Sequence, residues 1–147
     1  MKLWCCGCND YVDAELCGGD TIYPHRPDLY QLKFYRCPHC KNYVGTHKLW
    51  GKGTDGRQHN IRALGCIPTP ALKNARHKIH EILDPLWKGK RSGTRKRLYK
   101  MLSDELGYEY HTANTRTIEE CRTVYKLIQE IYKRKKNDNN TNLDSGN

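Results

Sequence analysis

The polar and apolar positions change period once along the chain. Up to about residue 66 the apolar side chains come in short runs broken by cysteine, glycine and proline. Leu29-Tyr30-Gln31-Leu32-Lys33-Phe34-Tyr35-Arg36 is rich in aromatic residues and enters Cys37 directly, while Asn42-Tyr43-Val44-Gly45 leaves Cys40. Both stretches predict short strands on either side of a turn. Gly51-Lys52-Gly53-Thr54-Asp55-Gly56, all glycine and polar, predicts a loop.

From Thr69 the spacing becomes helical. Thr69 is a candidate N-cap with Pro70 at the first helical position, and Leu72, Ala75, Ile79, Ile82 and Leu83 fall on one face. Pro85 should end this helix near Asp84, with Leu86 and Trp87 turning back to the core. A second helix is expected from Thr94 to Leu106, with Leu98, Leu102 and Leu106 inward and Gly107 closing it. Thr117-Ile118-Glu119-Glu120 has the form of a capping box and starts a third helix, with Ile118, Cys121, Tyr125, Ile128 and Ile131 or Tyr132 on its apolar face. That helix runs into Lys133-Arg134-Lys135-Lys136, where cations suit a helix C-terminus. Residues 137–147 are too polar to bury a face and are expected to be disordered.

The cysteines change the picture of the first third. Cys5-x-x-Cys8 and Cys37-x-x-Cys40 place four thiolates on two tight turns, the pattern of a structural zinc site closed to water. Cys6 is adjacent to Cys5 and competes with it, though only Cys5 has the two-residue gap to Cys8. Cys17, His39, His47 and Cys66 are alternative ligands, and Cys121 falls on the apolar face of a helix. A metal staple also suits a chain of 147 residues with 37% hydrophobic side chains and a mean hydropathy of -0.91, which can bury only a modest core. The expected architecture is therefore α+β: an N-terminal zinc ribbon with short β-strands over residues 1–66, a three-helix C-terminal body packed on it over 67–136, and a polar tail over 137–147. No apolar leader opens the sequence, and no stretch approaches the roughly 20 apolar residues that span a bilayer. Together with eight cysteines read as metal ligands or core, this places the protein in a reducing cytoplasm, away from membranes.

Charge points to a partner. The net charge is +10, and residues 67–136 hold 17 of the 26 basic side chains against 8 acidic ones. Lys88, Lys90, Arg91, Arg95, Lys96, Arg97 and Lys100 lie within a loop and the start of the second helix, where backbone N–H groups also attract anions. DNA or RNA is the expected ligand of this segment; a merely solvated basic face is the plain alternative. Tyr30, Phe34, Tyr35, Tyr43 and Trp50 could stack on unpaired bases, although packing within a small ribbon would also occupy them. His47, His77, His80, Asp84 and His111 are the material for a second metal or an acid–base site. They form no His-Glu-x-x-His motif and include no paired carboxylates.

The ordered segments also carry a resemblance. Cys5-x-x-Cys8, Cys37-x-x-Cys40 with Tyr43-Val44-Gly45-Thr46-His47-Lys48, Ala71-Leu72 continuing through Arg76-His77-Lys78-Ile79-His80-Glu81-Ile82-Leu83-Asp84-Pro85-Leu86-Trp87, and Arg97-Leu98-Tyr99-Lys100-Met101-Leu102 resemble a phage and prophage zinc-finger-containing domain family of unknown function. The resemblance covers most of residues 5–131. The family's usual Cys-Pro-x-Cys-Gly start is Cys5-Cys6-Gly7-Cys8-Asn9 here, and its His-Ile-Gly segment keeps only the histidine, in Tyr110-His111-Thr112-Ala113. It implies a zinc-stabilised, phage-type protein working in a host cytoplasm and supplies no activity. The leading expectation is a zinc-stabilised, basic, non-enzymatic nucleic-acid-binding protein. The alternative is a phage protein that docks its basic face on a host or defence-system protein and inhibits it, and a metal-dependent nuclease comes third.

Overall fold

Two β-hairpins, each turning at a cysteine pair, organise the first part of the chain. The computed structural model describes residues 1–47 and 61–144, the last seven of these for backbone only; the loop expected at 51–56 and Trp50 lie outside the described residues. Strand β1 (Lys2–Cys5) pairs antiparallel with β2 (Asp10–Asp13), Leu3 opposite Val12. Strands β3 (Glu15–Gly18), β4 (Lys33–Arg36) and β5 (Tyr43–Gly45) form a second antiparallel sheet in that order, with Tyr35 between Leu16 and Val44.

A single helical turn, α1 (Gly19–Ile22), follows β3. The strand expected from Leu29 begins only at Lys33, because Pro27 to Leu29 form a 3-10 turn. That turn packs on α1 so closely that a Cβ on Gly19 would lie 1.7 Å from the Leu29 carbonyl oxygen. The Gly19 N–H, in turn, donates to the Leu32 carbonyl at 2.8 Å.

Residues 61–67 stitch the two hairpins together. The His47 N–H donates to the Arg62 carbonyl (3.0 Å) and the Leu64 N–H to Gly45 (2.9 Å), which extends β5. Further on, the Ile67 N–H donates to the Trp4 carbonyl and the Cys6 N–H to that of Ile67, both at 2.8 Å, which extends the pairing to β1. Val12 and Ala14, like Tyr35 and Cys37, are two apart and so point to one side of their strands. They meet Cys5, Val44, Ile61 and Ile67 in one buried cluster. The Tyr35 hydroxyl is satisfied there by the Ile61 carbonyl at 2.7 Å.

The chain divides into two compact units, residues 1–73 and 74–147, so the boundary falls within the first long helix and seven residues beyond the expected one. Helix α2 (Pro70–Leu83) opens as its sequence predicts, with the Thr69 hydroxyl accepting the Leu72 N–H at 3.1 Å. At Pro85 it passes into a 3-10 turn over Asp84 to Leu86, and Leu86 is buried. Helix α3 (Thr94–Leu106) ends at Gly107 in the left-handed conformation. Before α4 (Ile118–Asp144), the Thr117 hydroxyl accepts the Glu120 N–H, while the Glu120 carboxylate accepts that of Arg116.

Ile79 and Leu83 of α2, Leu98 and Leu102 of α3, and Cys121, Val124, Ile128 and Ile131 of α4 are buried in the second unit, together with Leu86 and Tyr110. Helix α4 continues to Asp144 where disorder is expected from Asn137. Extending an established helix adds one hydrogen bond per residue fixed, a far smaller cost than nucleation, so polar side chains alone do not stop it. The inward face of α2 also holds Arg76, read as polar in the sequence but buried. Its Nε donates to Thr115 Oγ1 at 2.9 Å and its Nη2 to the Thr115 carbonyl, pinning the segment before α4.

Gly19→Ala should lower stability by about 2 kcal/mol or more, since the methyl overlaps a backbone carbonyl that cannot swing aside. Gly93→Ala, at φ 87° with nothing within 4 Å of its Cβ position, should cost only the left-handed penalty of about 1 kcal/mol. Denaturant midpoints of the two variants provide the comparison.

Candidate metal centre and basic surface

Each hairpin turn presents its two sulfurs by the same local device. The residue after each second cysteine, Asn9 (φ 54°) and Lys41 (φ 65°), adopts the left-handed conformation, and no other non-glycine among the described residues does. Within the turns, the amides of Cys8 and Gly7 face the Cys5 sulfur, and those of Cys40 and His39 face the Cys37 sulfur. The second turn is closed by the Cys37 N–H donating to Asn42 (2.8 Å) and the Lys41 N–H to Cys37 (3.1 Å). Gly7 lets the turns approach, because a Cβ there would sit 2.7 Å from Asn42 Nδ2 and 3.3 Å from Cys40 Sγ.

The sulfurs of Cys5, Cys8, Cys37 and Cys40 all lie within 4.8 Å of one another. Cys5 and Cys40 are 3.4 Å apart, and Cys8 and Cys37 3.7 Å. A tetrahedral ion with metal–sulfur bonds of about 2.3 Å requires sulfur–sulfur edges of about 3.8 Å, so the quartet is close to the size of such a site. Cys5 and Cys37 are fully buried.

Crowding splits the thiols' acidities. Burial pushes the Cys5 thiol up to about 12. Burial also opposes ionisation of Cys37, but the Cys40 and His39 amides and the neighbouring thiols outweigh it and bring that group down to about 7. A soft cation replaces the competing protons at once, which is the chemistry this donor set favours.

The other sulfurs stand apart from this quartet. Cys6 turns away, its sulfur 3.8 Å from that of Cys66. Cys17 is on β3 opposite Phe34, and Cys121 is buried on α4. Among the described residues, the four cysteines are the only group of three or more potential ligands within reach of one another.

Of the histidines considered as material for a second site, three have local partners. His80 Nδ1 is 3.2 Å from Asp84 Oδ1, and that same oxygen accepts the Trp87 indole N–H at 3.1 Å. The Asp-Pro-Leu-Trp motif is thus a structural turn in which the carboxylate fixes the indole. His77 pairs with Glu81 (3.1 Å) and His111 with Glu109 (3.2 Å), while His47 is exposed in the first unit.

Among the ribbon aromatics, Phe34 and Tyr35 are buried. Tyr23, Phe34 and Tyr43 pack edge to face with centroids 5.6 to 5.7 Å apart. Lys73, on the first turn of α2, donates to the Tyr23 and Tyr43 hydroxyls at 3.0 and 2.9 Å. The sequence reading missed Tyr23 and Lys73, since no local pattern joins residues fifty apart. Tyr30 is exposed, and its hydroxyl donates to the Pro24 carbonyl.

All seven cations of the predicted basic segment are exposed, but they spread around α3 instead of forming one patch. Arg95, Lys96 and Lys100 line one groove, Arg97 and Lys100 another, and Lys90 a third with Lys133, Lys135 and Lys136. Lys88 lies 4.0 Å from Asp84 and Lys100 3.5 Å from Asp104. Lys90, Arg91, Arg95, Lys96 and Arg97 have no acidic partner among the described residues. Arg95 is held differently: its guanidinium lies 5.2 Å from the ring centroids of both Trp87 and Tyr99.

Residues 2–131 match a family described as a zinc-finger-containing domain. No curated protein and no solved structure matches the chain significantly. Among the described residues, no helix is long and apolar enough to cross a membrane.

Replacing Cys8 or Cys37 by serine should abolish metal retention, whereas Cys6→Ser should leave one ion per chain. Elemental analysis of the purified variants checks this; a Cys6→Ser protein without metal would show the ligand set to be wrong.

Proposed function

We propose that this chain, which belongs to the family of zinc-finger-containing domains, is a zinc-stabilised protein that binds DNA or RNA through the exposed cations around the start of α3. Zinc is the ion best suited to a cluster of four thiolates, and four protein ligands leave no position for water or substrate. The metal is accordingly structural, and binding is the work of the surface.

The observation that carries the nucleic-acid reading is the setting of Arg95. Trp87 and Tyr99 flank its guanidinium, and Asp84 fixes the Trp87 indole in turn. Aromatic rings restrain a guanidinium without using its N–H donors, so the fork is ordered and still available for phosphate oxygens. An arginine held only for stability would more simply have been given a carboxylate. Lys96 lines the same groove without an acidic partner, and the whole chain carries +10, so the local field favours a polyanion.

Binding of labelled DNA and RNA oligonucleotides, followed by anisotropy from 50 to 200 mM salt, tests this. Affinity should fall steeply as salt displaces the counterion advantage, and Arg95→Ala should weaken binding by about tenfold and reduce the salt slope by about one. Arg95→Lys should restore only part of the loss, because an ammonium has neither the planar fork nor its stacking. No binding to any of these ligands at 50 mM salt would overturn the proposal.

A further inference from the structure

A groove of about 960 Å³ follows α3 from Gly93, before its first turn, to Gly107, after its last. Thirteen residues make this helix about 20 Å long, enough for several nucleotides of a strand laid beside it. Arg95, Lys96, Tyr99, Lys100 and Ser103 are spaced four apart or adjacent and so share one helical face, which forms one wall. The segment from Tyr108 to His111 lines the groove as well.

Both acidic groups in the groove are already engaged. Asp104 pairs with Lys100 and Glu109 with His111, which leaves Arg95 and Lys96 as its unpaired charges. Of the tyrosines, Tyr110 is buried and stacked on Tyr99 with centroids 5.9 Å apart, and Arg95 lies over the Tyr99 ring. Tyr108 is different: it is 45% exposed, yet its hydroxyl donates to Glu120 Oε2 at 2.6 Å. An aromatic ring held at its far end and open to solvent is a ready platform for a flat ligand. Burial, with the Glu120 carboxylate beside it, pushes the Tyr108 phenol up to about 12, so it remains a neutral donor.

We infer that this groove binds single-stranded nucleic acid, with phosphates on Arg95 and Lys96 and an unpaired base stacked on Tyr108. The inference rests on the nucleic-acid reading above and narrows it. Cations alone do not select a single strand, but a duplex keeps its base faces stacked inside, and only a single strand can offer one to Tyr108.

The test measures affinity for one single-stranded oligonucleotide and its duplex with the wild type, Tyr108→Ala, Tyr108→Phe and Arg95→Ala. The wild type should prefer the single strand. Tyr108→Ala should weaken single-strand binding by about 5- to 100-fold while leaving duplex binding unchanged. Tyr108→Phe, which keeps the ring and loses the bond to Glu120, should retain most of the affinity. Arg95→Ala should weaken both.

In the unaltered protein, photocrosslinking of an oligonucleotide carrying 5-iodouracil should label the peptide containing Tyr108. If Arg95→Ala weakens binding while Tyr108→Ala changes nothing and the crosslink maps elsewhere, the groove inference falls and the nucleic-acid reading stands. Absence of binding by the wild type defeats both.

Discussion

Everything in the first unit depends on four sulfur atoms being held within 4.8 Å of one another. Strands of three or four residues with a core of eight buried side chains offer little apolar burial, and neither hairpin could be expected to persist alone. Two of those eight core residues, Cys5 and Cys37, are themselves members of the quartet, so the metal site is not an appendage to the core. It is the place where the two hairpins join, with residues 61–67 running alongside as a second seam.

In the second unit, two guanidinium groups are set by neighbours of different kinds. Arg76 is buried against a hydroxyl and a carbonyl of Thr115, and Arg95 is restrained by two aromatic rings at the surface. For Arg76 the result is a lock between α2 and the segment before α4; for Arg95 it is a donor fork facing solvent. Arg95 is thus one restrained cation in a basic segment whose other charges scatter around a helix.

The features legible in the sequence were those whose cause is local. Cysteine pairs with two residues between them enforce a turn, Thr69 before Pro70 opens a helix, and Thr117 with Glu120 caps another, each within five residues. What escaped depends on distant partners. The strands β1 and β2 have weak patterns of their own and gain their identity from pairing with each other and with Ile67. Arg76 reads as a solvent residue until Thr115 is brought beside it, and Lys73 until Tyr23 and Tyr43 are. The neighbour of the Cys6 sulfur is likewise distant in sequence, Cys66, sixty residues away. The basic run was legible as composition, but its division among three grooves follows from helical geometry and from where 107–111 and the end of α4 pass.

The most direct test of the claim that the metal quartet holds the first unit is amide hydrogen exchange with and without a chelator. Structural zinc contributes on the order of 10 kcal/mol to comparable modules, so its removal should release them. The amides of Cys6, Cys37 and Ile67, hydrogen-bonded at 2.8 Å to Ile67, Asn42 and Trp4, should be protected in the metal-bound protein and exchange freely once the metal is withdrawn. Equal protection of those three amides in metal-free protein would contradict the account.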